Sequence, residues 1–181
     1  MPDTRPALFL DRDGVVNEDL VHVHRKEDFR FIDGVFDLAG AARARGHAVV
    51  IVTNQAGIGR GLYTEAQFHA LMDWVRGEFA ARDAAIDAVY HCPFHPVHGI
   101  GPYRRESEDR KPAPGMILRA ARDLGLDLGR SLLVGDRLSD MQAAAAAGVG
   151  RALLFGPPDR APGAVTISAL RDAIAHLGAF P

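Results

Sequence analysis

Short apolar runs separated by helix-patterned segments constrain this chain more than any other feature. The runs are Ala7 to Leu10, Ala48 to Val52, Ala88 to Tyr90, Leu132 to Val134 and Ala152 to Phe155. Strands covered on both faces read as continuous apolar runs, and helices between them return the chain to lay the next strand parallel to the last. The helical segments are marked at their ends. Gly34 precedes a segment from Val35 to Arg45, and Thr64-Glu65-Ala66-Gln67 is a capping-box pattern opening one that runs to about Arg82. Ser139-Asp140-Met141-Gln142 repeats that pattern ahead of an alanine-rich helix ended by Gly148, and Met116 to Leu124 is ended by Gly125. The alternation predicts an α/β fold with a doubly wound, Rossmann-like parallel sheet.

At 181 residues and 48% hydrophobic, the chain suits one domain spanning 1–181, burying roughly 70% of its unfolded surface. Lys and Arg number 21 against 23 acidic residues, and a net charge of −2 leaves no footprint for nucleic acid or an anionic membrane. The expected partner is a small molecule. Cys92 is the only cysteine, so no intramolecular disulfide forms. The N-terminus carries no signal-like apolar stretch, and no run approaches the ~18 residues needed to span a bilayer. A cytoplasmic protein is expected, and a monomer, since no heptad run marks a dedicated interface. One stretch breaks the rhythm. Residues 93–114 are rich in proline and charge and read as a long loop, an insertion at about 92–110, and loops of that length are usually functional.

The first apolar run breaks into Asp11-Arg12-Asp13-Gly14, which delivers two carboxylates to the C-terminal end of a strand, where open α/β sheets place their ligands. Thr53 and Asn54, Lys111, and Asp136 with Asp140 follow in order, each after a further strand or at the edge of the loop. Singly these are weak signals, since DxDG also occurs in turns and calcium loops and a lone lysine is usually solvated. Jointly they describe phosphoryl transfer. Asp11 suits a nucleophile that forms an aspartyl-phosphate. Asp13, two positions on and on the same side of an extended strand, suits the acid/base. An anionic nucleophile meeting an anionic phosphate needs a cation, and Mg²⁺ with Asp11 and Asp136 as its side-chain ligands would supply it. Thr53 and nearby amides can bind phosphate oxygens, while Lys111 neutralises charge and orients the nucleophile. Asp140 is expected to orient Lys111. Phe68 and Trp74 read as core, and His22, His24 and His47 as structural or substrate-adjacent.

Through FLDRDGVVN, VTNQAGIGRG, RKPAPGM and VGDRLSDMQAA, the chain resembles the haloacid dehalogenase superfamily, and within it the bacterial heptose 1,7-bisphosphate 7-phosphatases and related histidinol-phosphate phosphatases. The resemblance covers almost the whole chain and implies a fold without a large cap domain. It implies catalytic roles for Asp11, Asp13, Thr53 and Lys111, and Mg²⁺ held by Asp11, the Asp13 carbonyl and Asp136. It places Asp19 to His22, Asn54, Gln55, Ala56, Arg110 and Arg137 around the unreactive part of a sugar bisphosphate. The implied activity is removal of the 7-phosphate on the route to activated heptose for lipopolysaccharide. Histidinol phosphate and a non-catalytic phosphosugar-binding role remain alternatives. Arg110 and Arg137 either meet a second phosphate or pair with nearby acids.

One departure stands out. Many relatives carry a structural zinc site in the long loop, but here Phe94, Ser107 and Asp109 replace three of its four ligands and Cys92 alone remains. No such structural zinc is expected. Cys92 with His91, His95, His98 and Asp109 is the remaining candidate for an improvised metal site. Otherwise Phe94, Tyr103 and the prolines are left to stiffen the loop.

Overall fold

A computed structural model describes residues 4–157 and 164–178. Its centre is strand β1 (Ala7–Leu10), in which all four side chains are fully buried. Strands β2 (Ala48–Asn54), β3 (Ala88–Cys92), β4 (Leu132–Gly135), β5 (Arg151–Phe155) and β6 (Thr166–Ile167) complete a sheet ordered β3-β2-β1-β4-β5-β6, with every pairing parallel.

Side chains alternate strictly between two cores, as the two-residue period of a strand requires. Leu8 and Leu10, Val49 and Ile51, and Leu132 and Val134 face one core; Ala7 and Phe9, Val50 and Val52, and Leu133 face the other. The first core is closed by α1 (Val35–Ala44) and α3 (Glu65–Ala80), through Leu38, Phe68, Leu71, Val75 and Phe79. The second is closed by α4 (Gly115–Leu124) and α5 (Leu138–Ala147), through Met116, Ile117, Ala120, Ala143 and Ala144. This is the doubly wound arrangement expected from the apolar runs. No helix among the described residues is long and apolar enough to cross a membrane.

The helix ends follow local chemistry. Thr64 Oγ1 accepts from Gln67 N at 3.1 Å while Gln67 Oε1 accepts from Thr64 N at 2.9 Å, a complete capping box. Gly125 and Gly148 end α4 and α5 in the left-handed conformation. The capping reading at Ser139 is corrected. The helix begins two residues earlier, after Arg137, and the Asp140 carboxylate reaches back to Arg137 N at 3.0 Å. A four-residue helix, α2 (Ala56–Gly59), and strand β6 were not read from the sequence, because neither is long enough to show a period.

The chain winds outward from β1 to β2 and β3, then returns to β4 on the other side of β1. The strand order therefore reverses beside β1. Carboxyl ends at such a switch point form a crevice without further design.

Candidate active site

Asp11 leaves β1 while its N–H is still bonded to the Val134 carbonyl of β4 at 3.1 Å. The chain then turns tightly, with the Arg12 carbonyl accepting from Val15, Val16 and Asn17 N–H groups. Asp11 and Asp13 consequently reach the same crevice through a turn; the strand alternation expected from their spacing is corrected here. Gly14 sits in that turn at φ +89, and a Cβ there would lie 2.4 Å from Asp136 Oδ2. Any side chain at position 14 would push into the carboxylate after β4.

Lys111 is the buried hub. Its Nζ lies 2.9 Å from Asp11 Oδ1, 2.6 Å from Asp140 Oδ1 and 2.9 Å from the Val52 carbonyl. The segment carrying it is fastened to the end of β2 by two bonds, Lys111 N to Asn54 Oδ1 and Asn54 Nδ2 to the Lys111 carbonyl, both 3.0 Å. Asp140 uses its second oxygen on Arg137 N, so it orients Lys111, as expected from the sequence.

Asp13 is held from three sides. Arg12 Nη2 donates to its Oδ1 at 2.7 Å, Asn17 Nδ2 to the same oxygen at 3.0 Å, and Gln55 Nε2 to Oδ2 at 3.0 Å. Gln55 also donates to Thr53 Oγ1 at 2.8 Å and accepts from Tyr63. Sequence reasoning gave Arg12, Asn17 and Tyr63 no role in the site. Arg12 is fully buried, bonded to the Val23 carbonyl and flanked by the Phe29 and Phe68 rings about 6 Å away. A charged residue between two aspartates reads as solvated; only the fold reveals the ring faces that cover it.

Asp11, Asp136 and Asp140 bring ligand oxygens within 4.8 Å of one another, all buried, with the Lys111 ammonium between Asp11 and Asp140 and the Arg137 guanidinium interacting with Asp136. Burial pushes the Asp11 carboxyl up to about 7, with Lys111 opposing the rise and Asp140 and Asp136 adding to it. Burial works against the Lys111 ammonium too, but Asp11 and Asp140 outweigh it and its pKa is raised. Three clustered carboxylates offering hard oxygen donors, beside a glycine that keeps the space open, fit a divalent cation of the magnesium type.

Above this floor lies a cleft of about 460 Å³ lined by Asp11, Asp13, Asn54, Gln55, Ala56 and Lys111. Its mouth adds Asp19, His22, Arg110 and Arg137, so the residues expected around the substrate are brought together. Arg60, His95, His98 and Ser139 join them without having been foreseen. Thr53 and Asp136 are absent from that lining: Thr53 is buried beneath Gln55, and Asp136 lines an adjoining hollow with Gly14. The two arginines differ. Arg137 pairs with Asp19 at 2.8 Å across the mouth, whereas Arg110 donates to the Phe94 carbonyl at 3.2 Å and joins no ion pair among the described residues. Loop 93–114 is stiffened by the Phe94–Tyr103 ring contact and by Arg105 stacked 3.9 Å over Phe94. Asp109 is engaged by Arg119, and His95 Nδ1 accepts from the Val97 and His98 amides. Two donors of the improvised site around Cys92, Asp109 and His95 Nδ1, are thus turned to other partners.

Comparison with known proteins agrees with this geometry. Residues 109–155, which contain Lys111, Asp136 and Asp140, match a family model described as HAD-hydrolase-like. The chain is 56% identical over 175 residues to the D-glycero-alpha-D-manno-heptose-1,7-bisphosphate 7-phosphatase of Burkholderia mallei, covering 94% of this chain and 93% of that one. It is 45% identical over 172 residues to the corresponding beta-named enzyme of Vibrio cholerae, covering 94% and 92%. Among solved structures, a HAD-like phosphatase from Mesorhizobium loti superposes with a TM-score of 0.87 at 36% identity, covering 98% of this chain and 90% of that one. The D,D-heptose 1,7-bisphosphate phosphatase from B. bronchiseptica, complexed with magnesium and phosphate, superposes with a TM-score of 0.79 at 30% identity, covering 95% and 97%.

Proposed function

We propose, from the premise that this chain belongs to the HAD-like hydrolases and to their heptose-1,7-bisphosphate 7-phosphatase group, that it hydrolyses the 7-phosphate of D-glycero-D-manno-heptose 1,7-bisphosphate. The observation that carries the chemistry is the Lys111 ammonium lodged between Asp11 and Asp140 under a cleft that also presents Asp13.

In this reading Asp11 attacks phosphorus, the bond to the sugar oxygen breaks, and Asp13 protonates that leaving oxygen. Asp13 then takes a proton from water, which attacks the aspartyl-phosphate and regenerates Asp11. Such acid/base assistance contributes about 10²–10⁴-fold. Lys111 and Asp140 hold the nucleophile's orientation, while Gln55 couples the acid/base to Thr53 and keeps both fixed relative to the phosphate. Asp11, Asp136 and the Asp13 carbonyl would hold Mg²⁺, which supplies positive charge between an anionic nucleophile and an anionic ester. Arg110 is the donor best placed at the mouth for a second, unreacting phosphate, since a guanidinium fork matches phosphate oxygens. The product would be a heptose 1-phosphate on the route to activated heptose for lipopolysaccharide.

The relative at 56% identity is named for the alpha anomer and the one at 45% for the beta, so the alpha form is the expected preference. The test is Mg²⁺-dependent phosphate release from both heptose 1,7-bisphosphate anomers, fructose 1,6-bisphosphate and histidinol phosphate, compared as kcat/KM. A preference of about a hundredfold for a heptose substrate supports the reading. Equal or greater turnover of histidinol phosphate overturns it.

A further inference from the structure

We propose that Glu65, His69 and His91 form a second cation site, distinct from the catalytic carboxylates, that takes a borderline divalent metal of the zinc class. Their ligand atoms all lie within 4.8 Å of one another. Glu65 and His69 are four residues apart on α3, which places them on one face a single turn apart. His91 arrives from β3, where it pairs in register with Thr53. Two well-ordered elements therefore converge on one point. The capping box at Thr64 fixes the turn that carries Glu65, and Phe68 packs against both imidazoles, at 5.5 Å from His69 and 4.5 Å from His91. The Tyr103 hydroxyl stands 3.5 Å from Glu65 Oε1, an outer contact of the kind that orients a ligating carboxylate.

Two imidazoles and one carboxylate suit zinc, cobalt or nickel, whereas magnesium prefers oxygen donors throughout. Ligands about 2.1 Å from one tetrahedral ion sit roughly 3.4 Å apart, so no pair of the three need close by more than about 1.4 Å. They have the freedom to do so, because His69 is exposed and Glu65 and His91 are only half-buried. Burial lowers the His91 pKa and keeps the ring in the neutral form that binds metal. An ion here would tie the start of α3 to the end of β3 and, through Tyr103, to the loop that carries Arg110 and Lys111.

The test uses the full chain, stripped with EDTA and titrated with Co²⁺ while excess Mg²⁺ occupies the oxygen-rich catalytic site. One equivalent of Co²⁺ should give the visible bands of a low-coordinate nitrogen-ligated ion, and Zn²⁺ should erase them. Zn²⁺ at a hundred times its Kd should raise the Tm by about 5–10 °C. His69→Ala removes an exposed side chain, so its metal-free Tm should be unchanged, while its zinc affinity should fall at least about 100-fold, more than loss of an outer contact. Asp136→Asn should keep the bands. Bands that survive His69→Ala, bands lost in Asp136→Asn, or no Co²⁺ bound in the presence of Mg²⁺ would each overturn the proposal.

Discussion

The floor of the cleft and its rim are built on opposite principles. On the floor, Lys111, Asp140, Thr53 and Gln55 are buried, and each makes the specific contacts described above. At the rim, Val21 and His22 both adopt positive φ, Val21 is 73% exposed, and Arg137 meets Asp19 where both side chains are partly open to water. A β-branched residue held in the left-handed region is costly, and such backbone strain concentrates where ligands bind. On the proposed function the contrast would divide tasks: the floor would fix one reaction, and the rim would carry recognition that can change without disturbing it.

Substitutions should separate the two regions by the size and kind of their effects. Asp11→Asn should lower kcat by about 10⁴-fold or more, because the amide lacks the nucleophilic oxygen. The fold should survive, since removing one of the clustered carboxylates relieves their repulsion; a phosphate-release assay beside a thermal melt reads both, and retained turnover would end the covalent mechanism. Gln55→Leu should lower kcat by about 10–100-fold with little change in KM, because Asp13 and Thr53 both lose a donor. A rise in KM alone would move Gln55 from the floor to the rim.

Arg110→Ala should lower kcat/KM for a heptose bisphosphate by about 10–50-fold, the worth of a charge-assisted bond, and leave a monophosphate substrate unaffected. Equal losses on both substrates would show that Arg110 serves the reaction. The fourth test is pH. Asp11, held near 7 without metal, gives the fold stability that is fully present below 3.8 and is lost as pH rises through 7. Mg²⁺ must displace that proton, so its apparent affinity should fall about tenfold for each pH unit below 7 and level off above it. Titrations of the Mg²⁺-induced Tm shift from pH 5 to 8 would show a flat profile if Asp11 were not a ligand. The smallest effect belongs to Asp19→Ala: at most about 1 kcal/mol in stability, as for exposed ion pairs generally, and a few-fold change in KM.

The sequence made legible whatever depends on neighbours along the chain. Apolar runs, the capping box at Thr64 and the helix-ending glycines at 125 and 148 are local signals, and all appear where they were expected. Asp11, Thr53 and Asp136 were legible because they stand at strand ends, which converge in a parallel sheet, and Lys111 because it borders the long loop. What could not be read depends on distant partners. Arg12 is buried only because Val23, Phe29 and Phe68 come to it from three other segments. Asn54, expected from the sequence as a substrate contact, is the clasp on Lys111, through two bonds spanning 57 residues. Asp140 was expected beside Lys111, but the helix cap was expected at Ser139, and the backbone group that Asp140 caps proves to be Arg137 N.

An ammonium carries three protons, and in Lys111 all three already have an acceptor. A phosphoryl oxygen approaching Nζ therefore enters by exchange. While Asp11 is a free carboxylate it competes strongly for its share; in the covalent mechanism proposed above, once its oxygen is bonded to phosphorus it would lose that charge and compete poorly. The proton should then pass to the phosphoryl oxygens, so that the grip of Lys111 tightens as the reaction proceeds and stays loose toward a substrate that has not begun to react.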